Sequence, residues 1–212
     1  MTIPKFFLIL LISIVCSCKS QHTIPVLETG KKSSQKKVWI DNATGYKVEK
    51  TVTLKGKNRS FYFHNNPFLK SKDGKSDLML FTNNHNNEVQ YFTVDLKSKK
   101  TDQITFKKGR KRGEILGSKT RKVFYMIKDS VFATHIDTHK TEFIYKFNED
   151  VIGSISTLNA DESLLSGALI TKEENDILKK NPNKSSYFDK IYNAKLERSL
   201  ICIDLNTKTL IK

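Results

Sequence analysis

Apolar and polar residues alternate with a period of two along most of this chain. Clusters of Asp, Asn, Ser, Thr, Gly and Lys interrupt the alternation at short intervals. The pattern predicts short strands joined by tight turns, with successive side chains on opposite faces. The clearest instance is Tyr91-Phe92-Thr93-Val94-Asp95-Leu96-Lys97-Ser98-Lys99-Lys100-Thr101: a strand, a polar turn and the start of a second strand. The same order of residue types returns over 131–141 and 200–209, and in degenerate form over 38–46. Each copy reads as a β-hairpin around an Asp: Asp95, Asp137, Asp204 and Asp41. In this register Thr93 and His135 stand where Cys202 stands, so Cys202 is expected to be a strand thiol without a catalytic role.

From Ser60 the copies fall into larger units of four strands. The first unit has a strand over 60–64, the turn Lys72-Asp73-Gly74-Lys75, a buried strand Leu78-Met79-Leu80-Phe81 and the Asp95 hairpin. The second has Glu114-Ile115-Leu116-Gly117, a turn at Ser118-Lys119-Thr120-Arg121, Val123-Phe124-Tyr125-Met126 and the Asp137 hairpin. The third has strands over 152–158 and 164–170 and the Asp204 hairpin. Asp95 and Asp137 are 42 residues apart, and four strands recurring every 40–45 residues or so describe a β-propeller blade. Asp137 and Asp204 are 67 residues apart, which places an insertion between Thr171 and Glu197. Lys172-Glu173-Glu174-Asn175-Asp176-Ile177-Leu178-Lys179-Lys180 carries acids early and lysines late, as a helix does. After Asn181-Pro182-Asn183, the residues Tyr187, Phe188, Ile191 and Tyr192 recur at helical spacing. Packing of these aromatics onto the blade is preferred; a substrate platform is the other reading.

The predicted fold is all-β: a partial β-propeller of about three four-stranded blades plus an N-terminal closing hairpin, with a short helical insertion in the third blade. Three units and one hairpin fall short of the four to eight blades or so of a propeller. The chain stops at Lys212 within a strand, so 37–212 is expected to be a truncated propeller.

The N-terminus changes the expected compartment. Lys5 followed by a ten-residue, largely apolar run from Phe6 to Val15 suits a secretory signal, and the run is too short to span a bilayer. Val15-Cys16-Ser17-Cys18 then looks like a lipobox, with Cys18 the better lipidation site and Cys16 the weaker; an ordinary signal peptide is the bland alternative. This divides the chain into a lipoprotein signal peptide at 1–17, a flexible tether at 18–36 and the propeller at 37–212. A protein anchored in the envelope of a Gram-negative-type bacterium, facing periplasm or exterior, is expected. With Cys18 lipidated, Cys202 has no disulfide partner.

The net charge is +15, and 97–122 alone holds eleven Lys or Arg against Asp102 and Glu114. Such a balance predicts polyanionic partners. For an exported, tethered protein these are an acidic polysaccharide or the membrane surface rather than nucleic acid; a solvated face of loops is the bland reading. His-Asn-Asn at 64–66 suits hydrogen bonding to sugar hydroxyls and carboxylates, and equally suits loop capping. His135 and His139 flank a turn and make a poor metal site.

The order of features adds a resemblance. Trp39-Ile40-Asp41-Asn42-Ala43-Thr44-Gly45-Tyr46-Lys47-Val48 comes first, then Phe61-Tyr62-Phe63-His64-Asn65-Asn66-Pro67-Phe68 and Leu78-Met79-Leu80-Phe81-Thr82-Asn83-Asn84. Lys122-Val123-Phe124-Tyr125 and the insertion ending Tyr187-Phe188-Asp189-Lys190-Ile191-Tyr192-Asn193-Ala194-Lys195-Leu196-Glu197-Arg198 follow. Together they resemble the first half of polysaccharide lyase family 22, the oligogalacturonate lyases, which are seven-bladed propellers. The resemblance implies β-elimination on short pectin-derived oligogalacturonates. A base removes the C5 proton, while a manganese-type divalent metal and an arginine neutralise the uronate carboxylate. It implies that the metal ligands and the base lie in later blades, so this chain is expected to bind no metal and to be inactive alone. It also places an active-site His at Asn193 and an Arg at Ser199, with Arg198 one position away as the catalytic cation. His64, Asn65, Asn66 and Asn193 are the expected substrate contacts. The alternative is a non-catalytic, lipid-anchored propeller that binds or scaffolds.

Overall fold

A computed structural model describes residues 23–30 and 36–211. The signal peptide expected over 1–17 and the lipidation candidates Cys18 and Cys16 lie outside the described residues. The chain divides into two compact units, 1–50 and 51–212.

The first unit is a three-stranded sheet, β1 (Val26–Leu27), β2 (Val38–Asp41) and β3 (Lys47–Glu49). The β2–β3 hairpin is the one read from the sequence. β1 is not: it lies within the expected tether, yet it pairs in parallel with β2, Val26 opposite Ile40. The Asp41 carboxylate holds the sheet together. One oxygen accepts from the Thr29 amide (3.2 Å) and hydroxyl (2.6 Å), the other from the Thr44 amide (3.0 Å) and hydroxyl (2.6 Å).

The second unit holds three sheets, each a propeller blade. The first blade comprises β4 (Lys57–Ser60), β5 (Phe68–Lys70), β6 (Asp77–His85), β7 (Glu88–Asp95) and β8 (Thr101–Gln103). The second is β9 (Lys111–Gly117), β10 (Lys122–Ile127), β11 (Ser130–His135) and β12 (Thr141–Lys146). The third is β13 (Val151–Leu158), β14 (Leu164–Thr171), β15 (Arg198–Asp204) and β16 (Thr209–Ile211). Blades two and three are antiparallel meanders of four strands. In the first blade the innermost strand is broken. β4 pairs with the far half of β6 and β5 with its near half, and residues 61–67 loop out between them. The strand expected over 60–64 is therefore a strand end followed by this loop.

Blade stacking explains the run Val123-Phe124-Tyr125-Met126. Both faces of β10 are buried, so no polar alternation survives. Val123 and Tyr125 join Phe61, Leu80, Tyr91 and Ile104 in a core between the first two blades. Phe124 and Met126 join Ile144, Phe147, Leu165 and Ile203 in a core between the second and third.

The repeated hairpins correct one register. The turn-opening residue accepts from the amide four positions on, and this residue is Asp41, Asp95 and Asp204 in three copies but His135 in the other, which bonds His139. Asp95 thus corresponds to His135, 40 residues on, and Asp137 corresponds to Lys97. Ala133, not His135, stands opposite Thr93 and Cys202. His135 does the work of the missing Asp. Its Nδ1 accepts from the Asp137 amide at 3.2 Å, as Asp95 Oδ1 accepts from the Lys97 amide at 2.9 Å. A two-residue slip keeps every side chain on its face, so the hydrophobic pattern could not reveal it.

Freed from the turn, Asp137 takes a bidentate pair from Arg121 (2.6 and 2.8 Å), whose remaining nitrogen donates to the Lys70 carbonyl of the first blade at 2.8 Å. Glu162, in the β13–β14 turn, accepts from the amides of Lys119 (2.9 Å) and Thr120 (2.7 Å), stapling the third blade to the second.

The insertion is a helical pair, α1 (Lys172–Lys180) and α2 (Lys184–Ala194). Thr171 caps α1 by accepting from the Glu174 amide at 3.1 Å. Glu174 is wholly buried, and Arg198, at the start of β15, clamps its carboxylate through Nε at 2.9 Å and through Nη2. That pair fixes α1 to the blade. Of the four residues at helical spacing, Tyr187 and Ile191 are half-buried and Phe188 and Tyr192 are exposed; α2 packs against α1, which lies on β13 and β14.

Two outcomes follow. The Asp41 and Asp95 carboxyls are held down at about 2, chiefly by the Thr29 and Ser76 hydroxyls, and Asp137 and Asp204 are also lowered, by Arg121 and by the Thr207 amide. Groups lowered by folding stabilise fully above the unfolded value, about 3.9, and lose that contribution as pH falls through the folded one. The melting temperature, followed by circular dichroism, should drop between about pH 4 and pH 2, and a flat profile would contradict the assignment. Second, Arg198→Ala leaves a buried carboxylate unpaired and should cost about 3 kcal/mol in denaturant melts, most of it recovered when Glu174 and Arg198 are both replaced by Met. A single variant as stable as the parent would contradict the clamp.

Candidate anion-binding cleft

β4 reads Lys57-Asn58-Arg59-Ser60, and its period of two sorts the side chains. Asn58 turns into the sheet, donating to the Leu54 carbonyl at 2.9 Å and accepting from Asn83 at 2.7 Å. Lys57 and Arg59 turn the other way. Phe61 is then buried edge-on against Tyr91, ring centroids 5.9 Å apart. This anchor throws the next residues outward: Tyr62 and Phe63 are 62% and 77% exposed and lie against each other at 4.4 Å.

The facing wall comes from the start of β9. Lys111 is buried, its ammonium donating to the carbonyls of Val89 (3.1 Å), Lys107 and Gly109 (3.5 Å). Burial lowers its pKa to about 8. Arg110 lies just before the strand, and Arg112 follows Lys111 within it. Arg112 reaches the carbonyls of Lys128 (3.0 Å) and Gly153 (3.5 Å) and so ties the second blade to the third.

Between the walls is a cleft of about 910 Å³, lined among others by Lys57, Arg59, Tyr62, Phe63, Arg110 and Glu114. Among the described residues, Lys57, Arg59 and Arg110 pair with no carboxylate. Cations lining a concave site raise the local anion concentration. The cleft and the helical insertion belong to the same propeller face: β9 begins there, as the β10–β11 turn does, and α1 leaves the corresponding β14–β15 connection.

The sequence-derived site residues come to different places. His64 is exposed at the cleft's edge, against Phe63 at 3.9 Å. Asn65 braces the loop, donating to the Glu114 carbonyl at 2.9 Å, and Asn66 caps it by accepting from the Phe68 amide at 3.1 Å. For these two the loop-capping reading matches the contacts. Asn193 is exposed on α2. Arg198 is engaged by Glu174, which raises its pKa further. The run over 97–122 is no single patch. Lys97, Lys99 and Lys100 sit in the β7–β8 turn, whereas Arg110 and Arg112 sit at the opposite end of the blades. Lys57, Arg59, Tyr62 and Phe63 had no place among the sequence candidates. Their signal was the Lys-x-Arg alternation running into an aromatic pair.

No protein-family model matches the chain, and no curated protein matches it. Among solved structures, it is similar to the oligogalacturonate lyase of Vibrio parahaemolyticus, with a TM-score of 0.66 and 21% identity over 82% of this chain and 45% of that one. It is similar also to an oligogalacturonate lyase in complex with manganese, with a TM-score of 0.68 and 21% identity over 82% and 45%. The chain thus spans just under half the length of the lyases it matches. That neighbour's manganese finds no counterpart among the described residues. Among the described residues no three His, Cys, Asp or Glu side chains converge, and the cleft's wall of Lys57, Arg59 and Arg110 would repel a dication. The residues present do not fit the metal. What the likeness establishes is the fold, a partial propeller related to that of the oligogalacturonate lyases.

Proposed function

We propose that this protein is of the oligogalacturonate lyase kind, related to polysaccharide lyase family 22, and that the described residues serve it by holding short acidic oligosaccharides. The cationic cleft on a lyase-like propeller is the observation that carries this reading. Uronates present one carboxylate per ring, and unpaired arginines meet them with charge-assisted, often bidentate bonds. An arginine against the C6 carboxylate also stabilises charge that develops when the adjacent C5 proton leaves, which is the demand of β-elimination. The same cationic cleft serves equally a second reading, a binding propeller without catalysis of its own.

Purified 212-residue protein should bind digalacturonate or trigalacturonate and give no unsaturated product with manganese, followed by ultraviolet absorbance. Turnover would overturn the placement of the chemistry elsewhere; failure to bind would overturn the substrate class. Envelope attachment through Cys18 belongs to the same proposal. In cells, radiolabelled palmitate should enter the parent protein and not Cys18→Ser; equal labelling would exclude Cys18.

A further inference from the structure

We propose that Arg59, Arg110, Tyr62 and Phe63 form a uronate subsite that reads ring and carboxylate together, with Glu114 rejecting denser anions. The inference rests on the acidic-sugar reading above and assigns it to residues that resemblance had not singled out.

A site for charge alone needs only cations. This cleft pairs them with two exposed aromatic rings on one loop, held in place from both sides. Phe61 is sunk between the blades, and Asn65 is bonded to the Glu114 carbonyl of β9. The loop is further closed by the Asn65 amide bonding the Tyr62 carbonyl at 2.8 Å. Rings this exposed, on a loop so well anchored, suit contact with the flat apolar face of a sugar, because aromatic side chains bring large rigid contact area at little entropy cost. The arginines come from the strands on either side of the loop, Arg59 from β4 and Arg110 from the entry to β9. A ligand whose ring lies on the aromatics therefore has cations within the same cleft for its carboxylates.

Among the described residues, Glu114 is the one carboxylate in the lining. Among cations it weakens the attraction for any anion, yet it accepts hydrogen bonds from sugar hydroxyls. Galacturonates have hydroxyls on every ring; citrate has one and tripolyphosphate has none to speak of at neutral pH. A carboxylate in this position is thus a discriminating group, favouring the hydroxylated anion over the bare one.

Calorimetric titration of the whole chain with trigalacturonate, its methyl ester and citrate separates the contributions. The parent should bind trigalacturonate best, with the ester and citrate each weaker by about tenfold or more, as expected when either a charge-assisted bond or a ring contact is missing. Arg59→Gln with Arg110→Gln should lower trigalacturonate affinity by about a hundredfold. Tyr62→Ala with Phe63→Ala should lower it by about threefold to tenfold and leave citrate unchanged. Glu114→Gln should tighten citrate more than trigalacturonate. Unaltered melting curves must accompany each variant, and Lys99→Gln, remote from the cleft, should bind as the parent does.

If the parent binds trigalacturonate and both double variants bind it equally well, the subsite is wrong while the acidic-sugar reading stands. If citrate binds as tightly as trigalacturonate, or the aromatic variant weakens both alike, the cleft is a general anion site and the proposal fails. If the parent binds no galacturonate at all, both fall.

Discussion

Everything in the second unit depends on sheets having two faces to bury. A four-stranded sheet alone would leave one apolar side in water; set between neighbours it leaves none. β10 is the sheet strand where this is most visible. Tyr125 and Phe124 are adjacent in sequence and nearly inaccessible, yet they belong to different cores. The interblade contacts are finished at the edges by polar groups rather than by more hydrophobic area: Arg121 and Glu162 at one end, Arg112 at the other. These groups bond mostly to backbone atoms, so they fix the stacking whatever side chains the neighbouring turn carries.

Much of this was legible in the sequence because the hairpin repeats, and what repeats can be aligned. The boundaries of α1 were readable for a different reason: charge order and an N-capping Thr both mark a helix end. Two things were not readable. A turn opened by His135 in place of Asp looks like no turn signal, and Asp137 two residues on offered a plausible substitute on the same face. Likewise, 60–64 has the composition of a strand, but Phe61 prefers burial between blades to a place in the ladder. The strand breaks there.

The candidate site was less legible than the fold. Charge was evident, but a linear run of cations says nothing about convergence, and the run over 97–122 is divided between two ends of the blades. Arg59 and Arg110 are 51 positions apart and line one cleft only because β4 and β9 are both innermost strands. Arg198, to which the resemblance points as a catalytic cation, holds a buried carboxylate. Its role is visible in the pair with Glu174, which sequence alone had left among the ordinary acids of a first helical turn.

The break between β4 and β5 has a consequence for how such a molecule can change. β6 keeps a partner along both of its halves, so residues 62–64 contribute no rung to the ladder. Their neighbours Phe61 and Leu69 remain fixed in the interblade core. A segment pinned at both ends and unpaired in the middle can be lengthened, shortened or rewritten while the blade around it stays as it is. The first blade therefore contains a ready position for acquiring a new specificity, or for grafting one, and it opens directly onto the cationic wall.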